Sequence, residues 1–138
     1  MISEFQGEYR WLSNFWAATV IYEGISYPSV EHAFQAAKTL DRHARKEIAS
    51  DPNSAKAKQT GRRVQLRSDW EEIKLSVMYS LVLDKFTRNA ELKKKLLATG
   101  DQELTEGNTW NDTIWGICNG KGENWLGKIL MAVRGRLQ

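Results

Sequence analysis

The chain has 138 residues, 41% of them hydrophobic, which is enough for one domain (residues 1–138) with its own core. Cys118 is the only cysteine and there are two histidines, so neither a disulfide framework nor a zinc-ligand spacing exists, and no metal is expected. No apolar run is long enough to span a membrane and no leader pattern follows Met1, so a cytoplasmic protein is expected; the net charge of +3 permits a polyanionic partner without requiring one.

Near the N-terminus, Arg10-Trp11-Leu12-Ser13-Asn14-Phe15-Trp16 mixes aromatic and polar side chains. Ser13 and Asn14 could hydrogen-bond a ligand or make a turn. Ala18 to Tyr27 alternates around Glu23-Gly24, the pattern of a hairpin. Pro28 then precedes a helix over about Val30–Leu40 with Ser29 as its N-cap. Short helices are predicted near Ala44–Ala49 and Ser54–Thr60, separated by Asp51-Pro52, with Gly61 closing the second. Ser68-Asp69-Trp70-Glu71 reads as a capping box opening the longest helix, to about Arg88. Asn89 caps a further helix that stops at Gly100, with Lys93-Lys94-Lys95 on its solvated side. Short strands are predicted at Glu103–Glu106 and Thr113–Cys118. Trp125–Leu137 is a final helix, with Leu126, Ile129, Leu130 and Val133 at helical spacing. These elements make an α+β protein, mostly helical, without the regular alternation of a doubly wound sheet.

Three places carry residues suited to chemistry. On the helix after Pro28, Glu31, Gln35, Lys38 and Arg42 fall on one stripe, beside the apolar stripe of Val30, Ala33, Phe34 and Ala37. Glu31 and Lys38 therefore sit at the edge of the buried face, although a surface helix with amphipathic side chains fits the same pattern. Lys38 is a nucleophile only if burial or a neighbouring cation lowers its pKa; a nearby carboxylate would keep it charged instead. His32 points away from Lys38 and is expected to be structural. Pro52 to Ser68 holds Lys56, Lys58, Arg62, Arg63 and Arg67 and no acid, either a solvated face or a rim for phosphates, with Arg62, Arg63 and Arg67 as nucleic-acid contacts. The run Leu104–Arg134 combines the carboxylates Glu106 and Asp112 with three tryptophans, five glycines and Arg134. Carboxylates offer acid–base chemistry, tryptophans flat faces for a base or sugar, and glycines close backbone approach to a ligand. Gly127 and Arg134 share a helix face, where a guanidinium could reach phosphate or pair with a carboxylate.

Taken together, Arg10–Phe15, Tyr27–Lys38, Trp70, Lys85-Phe86, Thr99–Asp101, Leu104, Glu106, Asp112, Trp115-Gly116, Gly122, Asn124, Leu126–Lys128, Leu130-Met131 and Arg134 resemble, in order, the motifs of the NADAR family. The resemblance spans nearly the whole chain. It implies the compact, mainly helical YbiA-like fold with a few short β-strands. It also implies an N-glycosidase that breaks the C1–N bond of a ribose phosphate without a cofactor. Lys38 matches a lysine proposed to form a Schiff base with the opened ribose, and Glu31, Glu106 and Asp112 match acidic active-site positions. Arg10, Ser13, Asn14, Phe15, Trp70, Trp115, Gly116, Asn124, Gly127 and Arg134 are the expected substrate-binding residues.

Family members act on ADP-ribose attached to guanine in nucleic acid or on phosphorylated riboflavin-pathway intermediates. The first substrate is favoured here by the mild basicity and the acid-free segment; the second needs no basic rim. A non-catalytic module that binds ADP-ribose is a third expectation, and the joint presence of Lys38, Glu106 and Asp112 argues against it.

Overall fold

A computed structural model describes all residues, 1–138. The chain divides into two compact units, one of Asn14–Asn89 and one of Met1–Ser13 with Ala90–Gln138.

The Asn14–Asn89 unit begins with the expected hairpin, β1 (Val20–Tyr22) and β2 (Ile25–Tyr27), antiparallel with Val20 opposite Tyr27. Glu23 and Gly24 both have positive φ (46° and 85°), as a two-residue hairpin turn with the right-handed strand twist requires. Four helices follow: α1 (Val30–Ala37), α2 (Arg42–Ala49), α3 (Ser54–Gly61) and α4 (Trp70–Arg88). Ser29 caps α1 by accepting the His32 amide, Asp41 caps α2 by accepting that of His43, and Asn53 caps α3 by accepting that of Lys56. All eight residues of α1 are buried, because α2, α3, α4 and the hairpin pack around it. Phe34 on α1 meets Trp70 on α4 with ring centroids 5.0 Å apart and planes tilted by 56°.

Two expectations are corrected in this unit. The capping box before α4 does not form. Asp69 occupies the cap position but makes no cap bond, because both its oxygens bind the Arg67 guanidinium, at 2.7 and 3.2 Å. A bidentate charge-assisted pair outcompetes a single amide for that carboxylate. Gly61 is the last residue of α3, as expected, but it closes the helix without a left-handed turn. It lies where α3 meets α1, and a β-carbon there would collide with the Gln35 side chain.

The second unit opens with a 3-10 helix, Gly7–Leu12, and adds α5 (Ala90–Ala98) and α6 (Trp125–Leu137). Gly100 ends the α5 region with φ +65°. The predicted strand at 103–106 exists as an extended stretch bridged to the N-terminus: Ile2 donates to Glu103, Thr105 to Ile2 and Gly107 to Ser3. The second predicted strand shrinks to β4 (Ile117–Cys118), paired in parallel with β3 (Gly107–Asn108). The sequence around 107–118 alternates poorly, and parallel partners this far apart leave no local signature.

Candidate active site

Within the Asn14–Asn89 unit the chemistry gathers at the end of α1. Lys38 is the C-cap of α1, still in helical geometry (φ −64°, ψ −24°), so it stays on the stripe of Glu31 and Gln35. Arg42 leaves the stripe, because the helix stops and Arg42 starts α2. The Lys38 carbonyl accepts the Arg67 amide at 2.8 Å, which fixes the backbone under the side chain.

The Lys38 side chain is half-buried, and its amine is held below the ordinary lysine range. Burial is the largest cause. Glu31 opposes it, while the charges of Lys58 and Arg62 on the α3 side add to it. Of the two influences weighed from the sequence, burial outweighs the Glu31 carboxylate in direction, and the amine's pKa is lowered. Glu31 is itself buried, at 7% exposure, and accepts the Gln35 amide at 2.9 Å.

His32 is structural as expected. It is 2% exposed, with Nδ1 2.7 Å from Ser29 Oγ and Nε2 3.1 Å from the Asp51 carbonyl. A second lysine, Lys85, figures in the sequence only as part of the family motif, with no role expected of it there. Lys85 on α4 is 1% exposed and burial brings its amine down to about 7. Lys85 is thus fully enclosed, whereas Lys38 is half-buried.

Asn14 and Phe15 lie on the loop that faces this helix. The Glu31 amide donates to the Asn14 carbonyl (3.0 Å), and the Asn14 amide group reaches Met78 Sδ at 3.5 Å. Ser54 Oγ donates to the Phe15 carbonyl (3.0 Å) and is linked through Ser29 Oγ to His32. The Phe15 ring is exposed, with the Lys58 ammonium 6.0 Å from its centroid. Trp70, expected to touch substrate, is 6% exposed and packed on Phe34.

The basic run divides into parts. Arg62 and Arg63 are exposed, whereas Arg67 is tied to Asp69 and is not an open cation. Arg63 and Arg67 line an open groove of about 710 Å³ that also includes Leu40, Leu66, Asp41 and Glu47 and does not include Lys38.

In the other unit, Glu106 and Asp112 flank a turn built around Asn108. The Asn108 amide group donates to the carbonyls of Glu106 (3.3 Å) and Asp112 (2.9 Å), and its oxygen accepts the amides of Trp110 (3.3 Å) and Asp112 (3.0 Å). One Asp112 oxygen accepts the amides of Ile114 (3.2 Å) and Trp115 (2.9 Å), so this carboxylate also shapes its own loop. The Glu106 backbone is held from both sides, its carbonyl by the Ile117 amide (2.9 Å) and its amide by Asn124 Oδ1 (3.0 Å). Gly116 lies against this turn, where a β-carbon would strike the Glu106 carbonyl and the Asn108 amide. Asn108 is the hub that sequence reading missed; its signal is an asparagine in the turn-rich run Gly107-Asn108-Thr109-Trp110-Asn111-Asp112.

Three residues expected to bind substrate make internal contacts in this unit. Asn124 is buried with left-handed backbone (φ 54°), and its side chain bridges the Glu106 amide and the Leu104 carbonyl. Gly127 leaves no bare patch: the Leu104 carbonyl and the Asn124 amide fill the space a β-carbon would take. Arg134 is 6% exposed and donates to Thr99 Oγ1 at 2.9 Å, a neutral partner in place of the expected phosphate or carboxylate. Arg10 is exposed, and Ser13, half-buried, closes the 3-10 helix by donating its amide to the Arg10 carbonyl. Trp115 is half-buried.

The family model described as the NADAR domain matches residues 3–138. The protein named N-glycosidase YbiA from Shigella flexneri is 42% identical over 133 residues, covering 94% of this chain and 82% of that protein. A protein named as an N-glycosidase from Nostoc punctiforme is 36% identical, covering 91% and 84%. A riboflavin biosynthesis protein from Vibrio vulnificus is 39% identical across 92% of this chain but only 35% of its own length. The solution structure of YbiA from Escherichia coli superposes with a TM-score of 0.86 at 37% identity, covering 99% of this chain and 86% of that one. That likeness agrees with the mainly helical α+β architecture described above. No helix is long and apolar enough to cross a membrane. With the family's pattern running from residue 3 to the end at this level of identity, the chain belongs to the NADAR family and is one of its N-glycosidases.

Proposed function

We propose that the chain cleaves the C1–N bond of a ribose phosphate with Lys38 as a covalent nucleophile. The observation that carries this is the half-buried Lys38 amine, held below the ordinary lysine range and still open to a reactant. Its lone pair attacks C1 as the C1–N bond breaks, and the departing base takes a proton from an acid. The ribose ring then opens, its ring oxygen becoming a hydroxyl, to leave an imine on Lys38. Water hydrolyses the imine, releasing the sugar phosphate and the free amine. Glu106 and Asp112 are proposed for proton donation and for stabilising positive charge at C1, and Glu31 for orienting the amine.

For the substrate, the relatives named for riboflavin biosynthesis favour a phosphorylated small molecule of that pathway. The pairing of Arg67 with Asp69 thins the basic rim and favours the same choice. The removal of ADP-ribose from guanine in nucleic acid remains the second reading, supported by exposed Arg62 and by Arg63 on an open groove beside exposed Leu40 and Leu66. Mass spectrometry of base release from both substrates separates them. The small-molecule reading expects turnover of the riboflavin intermediate with little response to salt. The nucleic-acid reading expects action on a modified oligonucleotide that weakens with salt by a log–log slope of roughly −0.7 per phosphate contact on a single strand, and that falls in Arg63→Gln.

A further inference from the structure

We propose that Lys58 and Arg62 form an anion subsite on α3 that holds the phosphate of the substrate beside Lys38, with the Phe15 ring as its wall. This rests on the ribose-phosphate reading above and names the residues that recognise the phosphate.

The arrangement follows from how α3 meets α1. Lys58, Gly61 and Arg62 are spaced i, i+3, i+4 and share one side of α3 and its C-cap. Gly61 touches Gln35, which itself lies on the Glu31–Lys38 stripe of α1. The absence of a side chain at Gly61 therefore brings two cations of α3 toward the end of α1 that carries Lys38. The Lys38 amine feels both of their charges.

Arg45, Arg67, Lys74 and Arg88 are held in ion pairs, and Lys58 and Arg62 take part in none of these four. The carboxylate on this seam, Glu31, is buried and accepts the Gln35 amide. Lys38, Lys58 and Arg62 outnumber the single carboxylate on this seam; like charges gathered in this way repel one another, and a bound phosphate relieves that cost.

The aromatic wall is held firmly. Lys58 Nζ stands 6.0 Å from the Phe15 centroid, and the Phe15 backbone is anchored through Ser54, Ser29 and His32, all buried. A cation over an exposed ring, on a loop fixed by a buried polar chain, is a preformed place for a charged group and the flat group attached to it. The rest of the basic run does not share this geometry. Lys56 is exposed and reaches only Gln59, Arg63 lines the separate groove, and Arg67 is held by Asp69.

Calorimetric titration of the full chain with ribose 5-phosphate and with ribose tests this without requiring turnover. The wild type should prefer ribose 5-phosphate by ~10-fold or more, about what one or two charge-assisted bonds contribute. Lys58→Gln and Arg62→Gln should each remove ~3- to 10-fold of that preference, and the double variant all of it. Lys56→Gln should change nothing. Should Lys58→Gln melt early, the exposed Arg62→Gln decides alone. A preference that survives in the double variant, or no preference in the wild type, overturns the subsite. Failure of the glycosidase reading is a different result: the phosphate preference persists, but no substrate releases its base.

Discussion

At Lys38, burial and a carboxylate pull the amine in opposite directions, and burial prevails. Burial, Lys58 and Arg62 favour the neutral amine, while Glu31 favours the charged one. Since the pKa is lowered, the nucleophilic form, and turnover with it, appears at lower pH than for an exposed lysine. Glu31→Gln removes the opposing anion, so the rising limb of kcat against pH should move to lower pH in whatever activity remains. Lys58→Gln removes a cation and should move it to higher pH. Limbs that stay fixed, or that move the other way, would detach the limb from Lys38. The helical spacing of Glu31 and Lys38 was readable from the sequence, and so was the structural role of His32. The net direction of the Lys38 shift was not, because it depends on α3 residues brought in by tertiary packing. Lys85 illustrates the same limit: nothing local marks a lysine in mid-helix as 1% exposed.

Helices and turns were legible where a local residue fixes them. Ser29 before α1, Glu23-Gly24 in the hairpin and Gly100 after α5 each act on their own neighbours. The predictions that moved were those decided by a distant competitor. At the start of α4 the N-cap is Asp69, whose carboxylate Arg67 holds, and not the expected Ser68. The Asn124 side chain bonds Leu104 and Glu106, twenty and eighteen residues away, and Arg134 bonds Thr99, thirty-five away. Such partners leave no periodicity to read.

Two substitutions test these contacts. Gly61→Ala pushes a methyl group into Gln35 at the α1–α3 seam and should cost ~1–3 kcal/mol in urea unfolding. Asn124→Ala removes both bridging bonds and leaves buried backbone groups unpaired, for a loss of ~2–4 kcal/mol and a lower kcat through a loosened Glu106. If Asn124→Ala melts like the wild type and only weakens substrate binding, the direct substrate contact first expected of it is correct.

On the scale of the whole molecule, the ordered motifs of the sequence and the architecture agree on one family across residues 3–138. The chain leaves its first unit after Ser13 and returns to it at Ala90, so that unit is assembled from both ends of the sequence. This division was not legible from composition, which shows no linker or change of character at either boundary. The candidate catalytic and candidate binding residues differ in where the fold puts them. Lys38 keeps an accessible position, and Glu106 and Asp112 flank a braced turn. Trp70, Asn124, Gly127 and Arg134 turn inward to packing and internal bonds. Motif residues that pack inward and motif residues left accessible look alike in a sequence, because burial is decided by tertiary packing.

Covalent catalysis by Lys38 is tested by borohydride trapping during turnover of a phosphorylated N-riboside. Reduction of the imine should leave a sugar-phosphate mass on the Lys38 peptide. Lys38→Arg should lose both the adduct and nearly all turnover while melting like the wild type. Undiminished turnover in Lys38→Arg, or an adduct on another lysine such as Lys85, would contradict the account.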